Sequence, residues 1–133
     1  MNHGLAALAA QLEREGGLVA GALRPAGDGA ADLVTEAVRE GYLLHHAESR
    51  IVVTGDPDLA LLAGDRCYAI GLEHLAAEGD LEAIALLAGV IAAGARAHAE
   101  GRPEAAEARW REVLAARSDA THRPGKTDSL PDG

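Results

Sequence analysis

Phenylalanine is absent from this chain, tryptophan occurs once and tyrosine twice. A core must therefore be assembled from Leu, Val, Ile and many alanines. Such small side chains let helices approach closely but bury little area each, at about 25 cal/mol per Å². Modest stability alone, and support from a partner, are expected. Cys67 is the single cysteine, which excludes an internal disulfide and a cysteine-rich zinc site. Lysine is nearly missing too: Lys126 is the one lysine among 12 basic residues, against 21 acidic ones, and the net charge is −9. That balance lacks the basic footprint of a nucleic-acid binder and disfavours anionic lipid. The longest uncharged run, "AIALLAGVIAAGA" at 83–95, is shorter than the roughly 20 residues that span a bilayer. The opening "MNHGLAALAAQLEREGG" has no basic leader. The composition predicts a soluble, cytoplasmic protein of one domain with no membrane span.

What is present is helix signal. Residues 5–23 are apolar-rich but interrupted by Gly16-Gly17, and "RPAGDG" at 24–29 is a break. Asp32 to about Ala47 reads as a second helix, with Leu33, Ala37, Val38 and Leu44 near one face. In the connector 49–56, Ile51-Val52-Val53 suits a short extended piece. Asp56 and Pro57 are a capping residue and a first-turn proline, and open a third helix that ends at Glu78 before Gly79. Asp80 caps a fourth, 81–100; Gly101 ends it, and Pro103 begins a fifth, reaching about Arg117. The prediction is an all-α bundle of about five helices over residues 1–117, with Gly/Asp/Pro-capped turns and a disordered tail at 118–133. "AEGDLEA" and "AEGRPEA" mark two similar helix–helix joints. The segment "AHAEGRPEAAEARWREVLAA" also suits the second half of a tetratricopeptide unit, which makes a free-standing helical interaction module the alternative.

On the third predicted helix, Leu61, Asp65, Tyr68, Leu72 and Leu75 fall along one direction, so Asp65 is expected inside the apolar stripe of the bundle's central helix. Gly64 and Gly71 form a flat strip beside it, where a neighbouring backbone can come close. Asp65 reads either as a buried structural acceptor or as a catalytic or metal-binding acid; the structural reading is preferred, because no second carboxylate shares that face. Tyr42 and His45 are expected to pack beside this helix and to reach Asp65. His46 stands beside them, and His74 with Glu78 has the spacing of a metal pair but suits a solvated surface better. No Glu-x-x-His or His-Glu-x-x-His occurs, so di-iron and zinc-protease helices are excluded. Trp110 reads as an anchor at the core's edge. Cys67 has no positioned histidine and is not expected to act as a nucleophile. No phosphate-binding glycine loop is present, and no metal or cofactor is expected.

The stretch "DLALLAGDRCYAIGLEHLAAEGDLEAIALLAGVIA", 58–92, resembles a helix of all-α isoprenyl diphosphate synthases that reads roughly A-x-L-x-G-D-x-L-x-x-x-A-x-x-x-L, with Leu62, Gly64 and Asp65 matching. It is most similar to the small, non-catalytic subunit of two-component heptaprenyl-type synthases. The resemblance implies that Gly64 lets a neighbouring helix pass and that Asp65 ties the bundle from inside. Catalytic synthases carry two aspartate-rich motifs that hold magnesium on the substrate diphosphate. Here no two aspartates are adjacent, and "YLLHHAESR" stands where the first motif would be. No catalytic role is therefore carried to any residue. The resemblance implies an accessory subunit that pairs with a catalytic synthase chain in isoprenoid biosynthesis, or self-association through helix faces.

Overall fold

The computed structural model describes residues 3–27, 29 and 31–122. Six α-helices are found among them: α1 (Gly4–Glu15), α2 (Gly17–Gly21), α3 (Leu33–His46), α4 (Pro57–Glu78), α5 (Leu81–Ala99) and α6 (Pro103–His122). The all-α expectation holds. The first predicted helix is two, because Gly16 and Gly17 both adopt φ of 77°, a left-handed conformation that breaks the ladder. The last helix runs past Arg117, its expected end, to His122; residues 123–133 of the predicted tail lie outside the described residues.

The turns follow their capping chemistry. Asp32 accepts from the Thr35 amide, Asp56 from those of Asp58 and Leu59, and Asp80 from that of Ala83. Gly79 closes α4 at φ 72°. The extended piece in the connector is a single antiparallel bridge, Val52 to Leu23, flanked by backbone hydrogen bonds from Arg24 to Ile51 and from Val53 to Ala22.

Two apolar clusters make the core, and α3 contributes to both. Leu5, Leu8 and Leu12 of α1 pack with Ala37, Leu44, Ile51, Val52, Ala63, Cys67 and Ile70. On the other side Val34, Val38, Tyr42 and Leu43 pack with Leu75, Leu87, Val90, Trp110 and Val113. Helix α4 also contributes to both, but α3 buries ten of its 14 residues against six of the 22 of α4, so the central helix is α3, not α4 as the sequence suggested.

The buried side of α4 is Ala63, Gly64, Cys67, Ile70, Gly71 and Leu75. Small residues sit there because α3 lies directly against them. A Cβ on Gly64 would come 2.7 Å from the His45 ring, and one on Gly71 would come 2.8 Å from Val38. The glycine strip is the helix contact that was expected. Leu61 and Leu62, by contrast, are 45% and 56% exposed.

Within α5, an 18-residue stretch has a mean hydropathy of 1.4, so the helix is long and apolar enough, by length and composition alone, to cross a membrane. The sequence expectation counted only the uncharged run; the helix continues past it at both ends. Its inner side, Ala83, Leu87, Val90, Gly94 and Ala97, is buried on the bundle.

Candidate functional site

The densest grouping of polar and aromatic side chains lies where the C-terminal ends of α3 and α5 meet the middle of α4 and the start of α6. Tyr42 is its hub. The Tyr42 ring lies on Gly94 of α5, where a Cβ would stand 3.4 Å away. Its hydroxyl donates to Glu107 Oε2 at 2.8 Å. It also meets His98 Nε2 at 2.9 Å. The carboxylate only accepts, so the imidazole donates to the phenol oxygen. His98 stacks on His46 with ring centroids 4.2 Å apart. Arg39 lies over both the Tyr42 and Trp110 rings and pairs with Glu107 at 3.3 Å. Trp110 is buried, and its Nε1 has no partner among the described residues.

Burial and the facing Glu107 carboxylate push the Tyr42 phenol up to about 12. The Glu107 carboxyl is raised by burial, but the Tyr42 hydroxyl and Arg39 outweigh that and hold it below its ordinary value. Burial, then the neighbouring His98 and His45, lowers His46. The neutral imidazole is thus the favoured form of His46.

Asp65 is not in the core. Its side chain is 73% exposed and meets His45 Nε2 at 3.0 Å. The expected partner is right for His45 and wrong for Tyr42, which turns to Glu107 instead. The burial is wrong because the side of α4 pressed on the bundle is centred on Ala63, Gly64, Cys67, Ile70 and Gly71, which leaves Asp65 at its edge. Tyr68 and Leu72, placed on the same stripe, are half-buried. The Tyr68 ring covers Gly41 of α3 and stacks on His45 at 5.0 Å. The other nitrogen of His45, Nδ1, lies 2.7 Å from the Gly41 carbonyl oxygen. Both nitrogens thus lie against groups of the bundle itself, the Gly41 carbonyl and the Asp65 carboxylate.

The buried carboxylates are others. Glu36 and Glu40, one turn apart on α3, are 3% and 0% exposed. Arg50 reaches Glu40 through Nε and Glu36 through Nη2, each at 2.6 Å. Glu40 also accepts from the Ser49 hydroxyl, and Glu36 from the Ala31 amide. Burial opposes the charge of Arg50, but the two carboxylates outweigh it and raise its pKa. The cluster clasps the connector onto α3. A second clasp, Arg117 to Thr35 and Asp32 at 2.9 Å each, ties α6 to the start of α3. The signal for the first was legible: two glutamates one turn apart on an apolar helix, with an arginine just beyond its end.

His74 and Glu78 are exposed, and no grouping of His, Cys, Asp and Glu suited to a metal occurs among the described residues. Cys67 is buried, and burial pushes its thiol up to about 12, which leaves it protonated and unreactive. No family model, curated protein or solved structure matches the chain.

Proposed function

We propose that this chain is a non-catalytic accessory subunit that pairs with a catalytic prenyl diphosphate synthase in the cytoplasm. The observation that carries the reading is where the residues of the shared "GD" helix lie. Gly64 is pressed under α3, whereas Leu62 and Asp65, one turn apart, face outward. A leucine 56% exposed next to a mostly exposed carboxylate is an apolar spot with a polar rim, which suits a protein contact. In the ionisable cluster at the bundle end, Tyr42, His98, Glu107 and Arg39 bond one another, which supports a structural role. The tetratricopeptide alternative has less support: α5, its turn and α6 run from Leu81 to His122, longer than the 34-residue unit.

The test is capture of a synthase chain bearing two aspartate-rich motifs on immobilised wild-type protein and on Leu62→Glu. Wild type is expected to retain the synthase chain, and Leu62→Glu to lose it while keeping its helical circular dichroism. No capture by wild type contradicts the pairing, and capture unaffected by the substitution contradicts this face.

A further inference from the structure

Helix α5 carries two heptad seams on opposite sides. Ala83, Leu87, Val90, Gly94 and Ala97 recur at alternating steps of four and three, and this seam is filled by the chain's own core. Leu81, Ala85, Ala88, Ala92, Ala95 and Ala99 recur at the same steps on the outer side. All six are exposed, Leu81 at 75%. Alanines at such positions let a second helix approach to about 8 Å, the lower end of helix–helix distances.

We propose that this open seam docks a second copy of the same chain, α5 against α5, antiparallel about a two-fold axis that passes between Ala88 and Ala92. The pattern is its own complement. Reversed about Val90, the seam sets Leu81 against Ala99, Ala85 against Ala95 and Ala88 against Ala92 of the second copy. An isologous contact needs that self-match.

The charges make the same statement independently. Glu82 and Arg96 lie two heptads apart on one flank of the seam, both exposed. Neither joins any ion pair among the described residues. In an antiparallel pair equivalent flank positions face each other, so each Glu82 meets Arg96 of the second copy, and this happens twice. A parallel pair would set Arg96 against Ile91 and leave both charges alone. On the opposite flank the half-buried Ile91 meets its own copy at the axis, and Ile84 meets His98 of the second copy. At the middle of the charged flank Arg109 approaches Gly89, its charge balanced by Glu112 at 3.2 Å. The contact does not rest on the accessory-subunit reading, whose face lies on α4.

Sedimentation velocity of the full chain over a range of micromolar concentrations tests it. Wild type is expected to dimerise and Ala88→Glu to remain monomeric with unchanged circular dichroism. Glu82→Arg and Arg96→Glu should each weaken the dimer about tenfold, since two attractions become two repulsions. The double variant Glu82→Arg/Arg96→Glu should return to the wild-type constant. A monomeric wild type, a dimer indifferent to Ala88→Glu, or a double variant no better than the singles overturns the proposal. So does a wild type that stays monomeric in buffer but sediments with phosphatidylcholine vesicles, which would give this face to lipid.

Discussion

Glu40 is fully buried and meets Arg50 and Ser49, whereas Asp65 stands mostly in water and meets, among the described residues, His45. Their energetic weights differ accordingly. Glu40→Ala leaves Arg50 with Glu36 as its one remaining carboxylate and takes the acceptor from the Ser49 hydroxyl, and breaking a buried pair costs about 3 kcal/mol at the low end; that end applies because Arg50 is 37% exposed and keeps Glu36. Asp65→Ala removes an exposed pair and should cost less than about 1 kcal/mol. Urea unfolding of the two variants checks the contrast, and equal losses would contradict the assignment of the buried carboxylate. Gly64 is the other position with a sharp expectation. A methyl there meets the His45 ring and, at 3.1 Å, the Cβ of Leu44. Gly64→Ala should lose about 1–3 kcal/mol. With His45→Ala in the same chain the loss should fall short of the sum, because the ring that clashes is gone. An additive pair would place the strain elsewhere.

At the scale of elements, the helices were legible because their ends carry explicit chemistry: Asp32, Asp56 and Asp80 all cap as read, and Gly79 closes α4 left-handed. The face of α4 was not legible. A helical wheel weighs leucine above glycine and alanine, but the close approach of α3 selects small side chains at Ala63, Gly64 and Gly71, so the expected stripe is split: Leu75 is buried and Tyr68 and Leu72 half-buried, while Leu61 and Asp65 are exposed. The same bias hid the importance of α3, whose buried surface includes Thr35, Glu36 and Glu40. The candidate cluster was half visible. Tyr42 and His45 were marked, but Glu107 and His98 come from α6 and α5, and no local pattern announces a long-range contact. Where α3 meets α5, His46 gives the joint a pH dependence. Its folded value lies below its ordinary 6.5. As pH falls past 6.5, the unfolded chain takes up a proton that the folded chain refuses, so stability declines until the folded value is passed. Glu107 acts in a separate, lower window: its folded value lies below its ordinary 4.5, so its contribution is lost only as pH falls beneath that. Chemical denaturation between pH 7 and pH 5 should therefore show a decline that His46→Gln reduces. A decline identical in the variant would assign the effect to other groups.

The described residues form a small helical bundle in which the buried carboxylates Glu36 and Glu40 are paired with Arg50. Its outward features are the Leu62–Asp65 face of α4 and the open seam of α5, which suit a subunit that acts by contact. The sequence disclosed the helical class through its capping residues. Which faces stay uncovered depends on how α3, α4 and α5 settle together, and that was beyond its reach. The central claim is that the chain assists a prenyl diphosphate synthase without catalysing the reaction. The direct measurement is elongation of an allylic diphosphate by isopentenyl diphosphate with magnesium, run with this chain alone, with the catalytic chain alone and with both. The account predicts no product from this chain alone and a changed rate or product length in the mixture relative to the catalytic chain. Elongation by this chain alone, or a mixture indistinguishable from the catalytic chain, would contradict it.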